Sequence, residues 1–279
     1  ATAEVSYIRM ERMRCAPQTA VHFSSTGRRG SVVVGILLLI TCCVGCGPQS
    51  PEAASRDRLT KMGVQLEKTN LQTPYANIPA AETGHLLIRV PFNRGAGMET
   101  AWGDQEFKTA APDLRNLSDL DYLLLQLTRI SDESMTDVAS LQQLRHLHLG
   151  YTRVTDDGIA ELGPLRQLEG LYAENSETIT GRGLASLKSA PLRKLSLRAT
   201  VATDDSLRVL SNFIALEHLD LGLNHRVGDG TLVVVAKLPK LRTLLLDRTG
   251  ITDKGLHQLQ SARHLERLVI GINPQVTDI

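Results

Sequence analysis

His146 and His148 stand two residues apart in a 279-residue chain, so on an extended strand both rings leave the same side. With His218 as a third nitrogen ligand they would have the residue types of a zinc site. Zinc ligands must lie about 2 Å from the metal. In the strand order derived below, His218 falls three strands away, roughly 14 Å at ordinary strand spacing, so no metal site is expected. Ser196, His218 and Asp220 have the residue types of a hydrolytic triad. A triad also needs an oxyanion hole and a pocket, which a regular strand face does not supply. No glycine-rich phosphate loop is present, and Gly158, Gly183 and Gly255 read as turns into short helices. The expectation is a protein without catalytic residues or cofactor, whose polar side chains serve binding.

Cysteine and charge narrow the choice further. Cys15, Cys42, Cys43 and Cys46 all precede residue 47, so the remainder can form neither a disulfide nor a zinc-thiolate site. The 31 basic and 30 acidic residues leave a net charge of +1, which gives no bulk attraction to nucleic acid.

The elements that position these side chains come from an internal repeat. Leu144–Leu162 reads LRHLHLGYTRVTDDGIAEL, and it is matched by Leu192–Leu210 and Leu241–Leu259, with more degenerate copies between and around them. Seven units are visible, and the landmark positions Asp132, Asp156, Gly181, Asp204, Asp229, Asp253 and Asp278 are spaced 24, 25, 23, 25, 24 and 25 residues apart. In the LxxLxL core the last two leucines are two apart and point inward from one strand. The Thr, Ser or Asn that follows (Thr128, Thr152, Ser176, Thr200, Asn224, Thr249, Asn273) marks a turn and is expected to bond backbone of the next coil. The Thr-Asp pair is expected to cap a short helix. That helix faces the core through pairs such as Ile159 with Leu162 and Leu256 with Leu259, and Pro164, Pro191 and Pro239 separate such helices from the next strand. A coil cannot bury its leucines alone, so coils must stack.

Stacking in register aligns the outward residues into columns. One column reads Tyr122, His146, Gly170, Lys194, His218, Thr243 and Arg267. The second reads Leu124, His148, Tyr172, Ser196, Asp220, Leu245 and Val269, and the third Gln126, Gly150, Glu174, Arg198, Gly222, Asp247 and Gly271. Tyr122, His146, His148, Tyr172, Glu174, Lys194, Arg198 and Asp220 are the candidate ligand-binding residues, because aromatic, imidazole and cationic groups on adjacent coils make good interface anchors. Their side chains are expected to face solvent.

The units resemble the leucine-rich repeats of bacterial envelope proteins and of substrate-receptor subunits of ubiquitin ligases. The resemblance covers 114–279, and 57–113 more weakly. It implies an α/β leucine-rich-repeat solenoid with strands on the concave face, short helices on the convex face, and a non-catalytic protein-binding role. A structural protein that self-associates through an uncapped repeat end is the alternative, as is a ligase-like receptor, although no F-box-like helical segment precedes the repeats.

Upstream, Arg28 and Arg29 precede an uncharged apolar run over 31–47. This is the order of an export signal, and the run is slightly short of the roughly 20 residues of a spanning helix. The end of the run, Val44-Gly45-Cys46-Gly47, resembles the lipobox of bacterial lipoproteins, which implies lipidation of Cys46. Cys43 stands where that motif usually has leucine. An uncleaved signal-anchor helix and a cleaved soluble protein remain open. The domain reading is a signal or anchor with a long n-region over 1–46, a flexible tether over 47–56, an amino-terminal cap and degenerate repeat over 57–113, and repeats over 114–279 that stop in mid-unit. Within the cap, Leu59, Met62 and Leu66 predict a short helix interrupted at Gly63, and residues 85–90 predict a strand.

Overall fold

Two leucines spaced two apart can share one interior only if the chain between them is extended. The computed structural model, which describes residues 50–68, 86–91 and 102–277, builds its sheet from that rule. All of these residues belong to a unit spanning Gln49–Ile279. The strands are β1 (Gln65–Lys68), β2 (Leu86–Arg89), β3 (Leu120–Leu124), β4 (His146–His148), β5 (Gly170–Tyr172), β6 (Lys194–Ser196), β7 (His218–Asp220), β8 (Thr243–Leu245) and β9 (Arg267–Val269). They lie side by side in chain order. β1 and β2 are antiparallel, and every later pair is parallel.

The central leucines align, Leu147 on Leu171, Leu171 on Leu195, Leu195 on Leu219 and Leu219 on Leu244. All five are buried. Between strands the chain returns through short helices: α3 (Met135–Ala139), α4 (Asp156–Glu161), 3-10 turns at Arg182–Leu187 and Ser206–Asn212, α5 (Asp229–Val235) and α6 (Asp253–Gln258). At the last described strand Leu268 is 39% exposed.

The amino-terminal part departs from expectation. Residues 51–56, read as tether, form the first half of helix α1 (Pro51–Lys61), which ends before Gly63 instead of continuing toward residue 69. Gly63 has a φ of +81, which reverses the chain into β1. Local chemistry explains the helix: Ser50 caps it by accepting from the Ala53 amide, proline occupies the first turn, and Glu52 sits at the positive end. It docks with few apolar groups. Leu59 is buried, and the Ser55 hydroxyl donates to Asp113 of α2 (Asp104–Arg115) at 2.9 Å while Arg58 also bonds Asp113.

Each coil turns at one residue with positive φ, namely Leu127, Tyr151, Asn175, Ala199, Leu223, Arg248 and Ile272. A side chain in that conformation costs about 1–2 kcal/mol. Part of the cost is offset by an amide bond to the next coil, as in Tyr151 N to Glu174 O at 3.0 Å and Ala199 N to Gly222 O at 2.9 Å. The polar residue that follows does not bond backbone of the next coil as expected, although the Thr200 and Thr249 hydroxyls donate forward to the side chains of Asn224 and Asn273. Thr128, Thr152 and Thr200 donate to carbonyls of their own coil. Asn224 and Asn273 reach back, donating to Leu197 O and Leu246 O of the preceding coil.

On the return side, an aspartate of one coil holds the next one at every step but that from the Gly181 coil. Asp132 accepts from the amide and hydroxyl of Thr155 at 2.8 and 2.7 Å. Asp156 accepts from the amide and hydroxyl of Thr180 and from the Gly181 and Gly183 amides. Asp229 holds Thr252 and Asp253 holds Thr277 in the same way. The threonine does cap its own helix, as when the Thr155 side chain accepts from Asp157 N, but the aspartate serves the next coil.

This also corrects the reading of the glycines. Gly158, Gly183 and Gly255 do not have positive φ. A Cβ on Gly158 would lie 2.1 Å from Asp132 Oδ1, and one on Gly255 would lie 2.1 Å from Asp229 Oδ1. Those two are glycines so that a carboxylate can approach, whereas at Gly183 a Cβ would lie 2.3 Å from the backbone oxygen of Asp156. Where the equivalent residue is Thr231, its hydroxyl donates to Asp204 instead. Gly181 brings no carboxylate, and there Ser206 substitutes by accepting from Thr203 N at 3.0 Å.

A fourth column lies at the start of the strands and alternates in sign: Asp121, Arg145, Glu169, Arg193, Glu217, Arg242, Glu266. Ion pairs join Arg145 to Asp121 and Glu169, Arg193 to Glu169 and Glu217, and Arg242 to Glu266.

Candidate binding face

The register brings the first two expected columns together as drawn. Tyr122 pairs with His146, His146 with Gly170, Gly170 with Lys194 and Lys194 with His218. His148 pairs with Tyr172, Tyr172 with Ser196 and Ser196 with Asp220. The expected exposure is not observed. Tyr122, His146, His148, Tyr172, Ser196 and Asp220 are all buried. The open positions in the columns are filled by neighbouring side chains: a Cβ at Gly170 would lie 2.3 Å from His146 Nδ1, one at Gly150 2.9 Å from His148 Cε1, and one at Gly222 2.2 Å from Arg198 Nη1.

Two ring pairs form the first half of the face. Tyr122 stacks on His146 with centroids 4.2 Å apart and planes 10° apart, and His148 stacks on Tyr172 at 5.6 Å. His148 Nδ1 accepts from the Gly150 amide at 3.2 Å, which places the ring proton on Nε2. Burial lowers its pKa to about 4. Burial also raises the Tyr172 phenol, with Tyr122 and Glu174 adding to the effect.

The second half is ionic. Arg198 reaches across Gly222 to Asp247 with a two-pronged contact at 2.8 and 2.7 Å, and touches Asp220 Oδ1 more loosely at 3.5 Å. The pairing with Asp247 raises Arg198 and lowers Asp247. Asp220 Oδ1 also accepts from the Gly222 amide at 2.9 Å. Glu174 and Asp220 are nevertheless pushed above the ordinary carboxylate range, chiefly by burial. Burial and the charge of Lys194 lower His218.

Gln126 Oε1, Tyr172 Oη and Asp220 Oδ2 are buried on this face without a hydrogen-bond partner among the described residues, while the Ser196 hydroxyl between Tyr172 and Asp220 supports Glu174. The Asp220 carboxylate is engaged by Arg198 and Gly222. Among the described residues no cluster of three or more His, Cys, Asp or Glu is placed to hold a metal ion. Gln126 and Asp247 complete the face and stand outside the candidate set drawn from sequence. Their place in the third column was the available signal. Cys46 lies outside the described residues, and no helix among the described residues is long and apolar enough to cross a membrane.

The family model described as "Leucine Rich repeat" matches residues 140–163. Among curated proteins none matches the chain. Solved structures similar to it include an internalin C2 from Listeria monocytogenes, at 24% identity over 57% of this chain and 74% of that one, with a TM-score of 0.46. Another is an internalin (inlF) from the same organism, at 23% identity over 56% of each chain, with a TM-score of 0.36. The matched segment is one unit of an array whose strands repeat it in register from β3 to β9, and the fold is therefore an α/β leucine-rich-repeat solenoid.

Proposed function

We propose that this chain is a non-catalytic protein-binding module that receives its partner on the concave strand face and is held at the cell envelope through Cys46. One observation carries the binding reading: the unpartnered oxygens of Gln126, Tyr172 and Asp220 gather on a single face, beside stacked rings and a buried ion pair. Buried polar atoms are ordinarily satisfied, so a group of unsatisfied ones is a site where a partner has hydrogen bonds to contribute. The flanking Tyr and Arg side chains are of the types that dominate interface energetics.

Photo-crosslinking residues placed singly at Lys194 and Thr243 should yield adducts in intact cells. The same residues at Glu161 and Lys254, on the helices of the other side, should not. Adducts from the helical side alone overturn the assignment.

The envelope part of the proposal is supported by the order of Arg28, Arg29, the apolar run and Cys46. A clickable fatty acid should label the wild-type chain and not Cys46→Ser, and equal labelling removes the lipid anchor from the proposal.

A further inference from the structure

We infer that the centre of the concave face is a receptor for one lysine-type ammonium group of the protein partner, held by Tyr172, Glu174 and Asp220; the inference rests on the concave-face reading above. Three carboxylates, Glu174, Asp220 and Asp247, meet around Arg198. Arg198 is committed to Asp247 by both prongs at 2.8 and 2.7 Å, and its contact with Asp220 is a single one at 3.5 Å to Oδ1. That leaves Asp220 Oδ2 without a partner in a residue only 6% exposed. Tyr172, 4% exposed, has a phenolic oxygen in the same condition, and it lies near enough to Glu174 for that carboxylate to act on it. Ser196 joins the two, since it pairs with Tyr172 on one side and with Asp220 on the other.

The chemistry of the missing partner follows from these groups. It must donate hydrogen bonds, because Asp220 Oδ2 and an ionised Glu174 can only accept. A cation suits it best, because both prongs of the neighbouring Arg198 guanidinium are taken by Asp247, which leaves Asp220 Oδ2 unanswered beside it. An ammonium offers three donors and no acceptor, which suits a site whose offered atoms are oxygens. A second guanidinium is a poorer fit, since the space over Gly222 is already filled by that of Arg198. Glu174 is partly exposed and provides the way in.

The test is calorimetric titration of the full chain in detergent with tetralysine, its fully acetylated form, and spermine. Tetralysine should bind and the acetylated peptide should not. Glu174→Gln combined with Asp220→Asn should weaken tetralysine binding by about tenfold or more, the scale of one lost charge-assisted hydrogen bond. Tyr172→Phe should weaken it by a smaller factor. Asp220→Asn alone serves if circular dichroism shows the double variant misfolded. Wild-type affinity in a folded carboxyl variant, or no binding by the wild type, overturns the site, and spermine binding as tightly as tetralysine overturns the protein source of the amine. Crosslinking from Lys194 separates the two readings. If the partner still crosslinks while tetralysine is ignored, the ammonium site fails and the binding face stands.

Discussion

The carboxylates on the two sides of this solenoid are treated in opposite ways. On the return side, Asp156 receives hydrogen bonds from three amides and a hydroxyl of the next coil, and Asp132 and Asp229 each receive two. On the strand side, Asp220 keeps one oxygen unpaired and Glu174 is raised by burial. The same residue class, at the same repeat period, is used for cohesion on one side and left unsatisfied on the other. Where the coils need only hold together, no buried side-chain acceptor among the described residues is left unanswered. Unsatisfied groups collect where a partner could reach them, which is the reason for assigning binding to the strands.

Substitutions can break or sharpen that contrast. The largest effect should come from the shared core between the two sides. Leu195→Asp buries a carboxylate between Leu171 and Leu219 with no partner and should cost more than about 4 kcal/mol, abolishing the cooperative thermal transition. A wild-type melting curve for this variant would falsify the register. Next, Asp156→Ala strips the acceptor from four donors and should destabilise the fold by about 3 kcal/mol, read from urea denaturation. A loss below about 0.5 kcal/mol would mean that the return-side carboxylates do not provide the cohesion claimed for them.

Acid should act through the strand side. His148 has a folded pKa of about 4 against 6.5 for the free residue, so the unfolded chain takes up this proton first. Its contribution is whole above about pH 6.5 and is lost as pH falls toward about 4, to the extent of about 3 kcal/mol. Glu174 and Asp220 are raised and work in the opposite sense, since the folded chain protonates first as pH falls. The quantity to measure is therefore the difference between wild type and His148→Gln, which should shrink on acidification through that window. A constant difference excludes the mechanism. The smallest effect is expected at Tyr172→Phe, which removes a hydroxyl without a partner and should change stability by less than about 0.5 kcal/mol in either direction. A large loss would show that the hydroxyl is bonded within the fold and has nothing to offer a ligand.

Leucine spacing made the strand register and the first two columns legible, because a period of two along the strand and a repeat of the whole coil leave one alignment that buries every central leucine. Burial of His146, His148 and Tyr172 was not legible. It depends on what the neighbouring coil offers, a glycine at Gly170 for the His146 ring to enter and the Tyr172 ring for His148 to stack on, and each is a relation between residues 24 positions apart. The forward reach of Asp132 and Asp156 was hidden for the same reason, since a capping role for the aspartate in its own coil accounts for the Thr-Asp pair equally well. Helix α1 escaped a reading based on apolar spacing because it docks largely through Ser55 and Arg58 on Asp113.

The alternating column from Asp121 to Glu266 gives the array a parity. Excising one coil, residues 168–191, would set Arg145 beside Arg193, whereas excising two, residues 168–215, would set Arg145 beside Glu217 and restore opposite neighbours. Each such contact is worth only about 0–1 kcal/mol at the surface, too little to decide whether the chain folds. It is enough to bias which coil lies against which when several have nearly the same leucines. An array built this way lengthens or shortens most smoothly by two coils at a time.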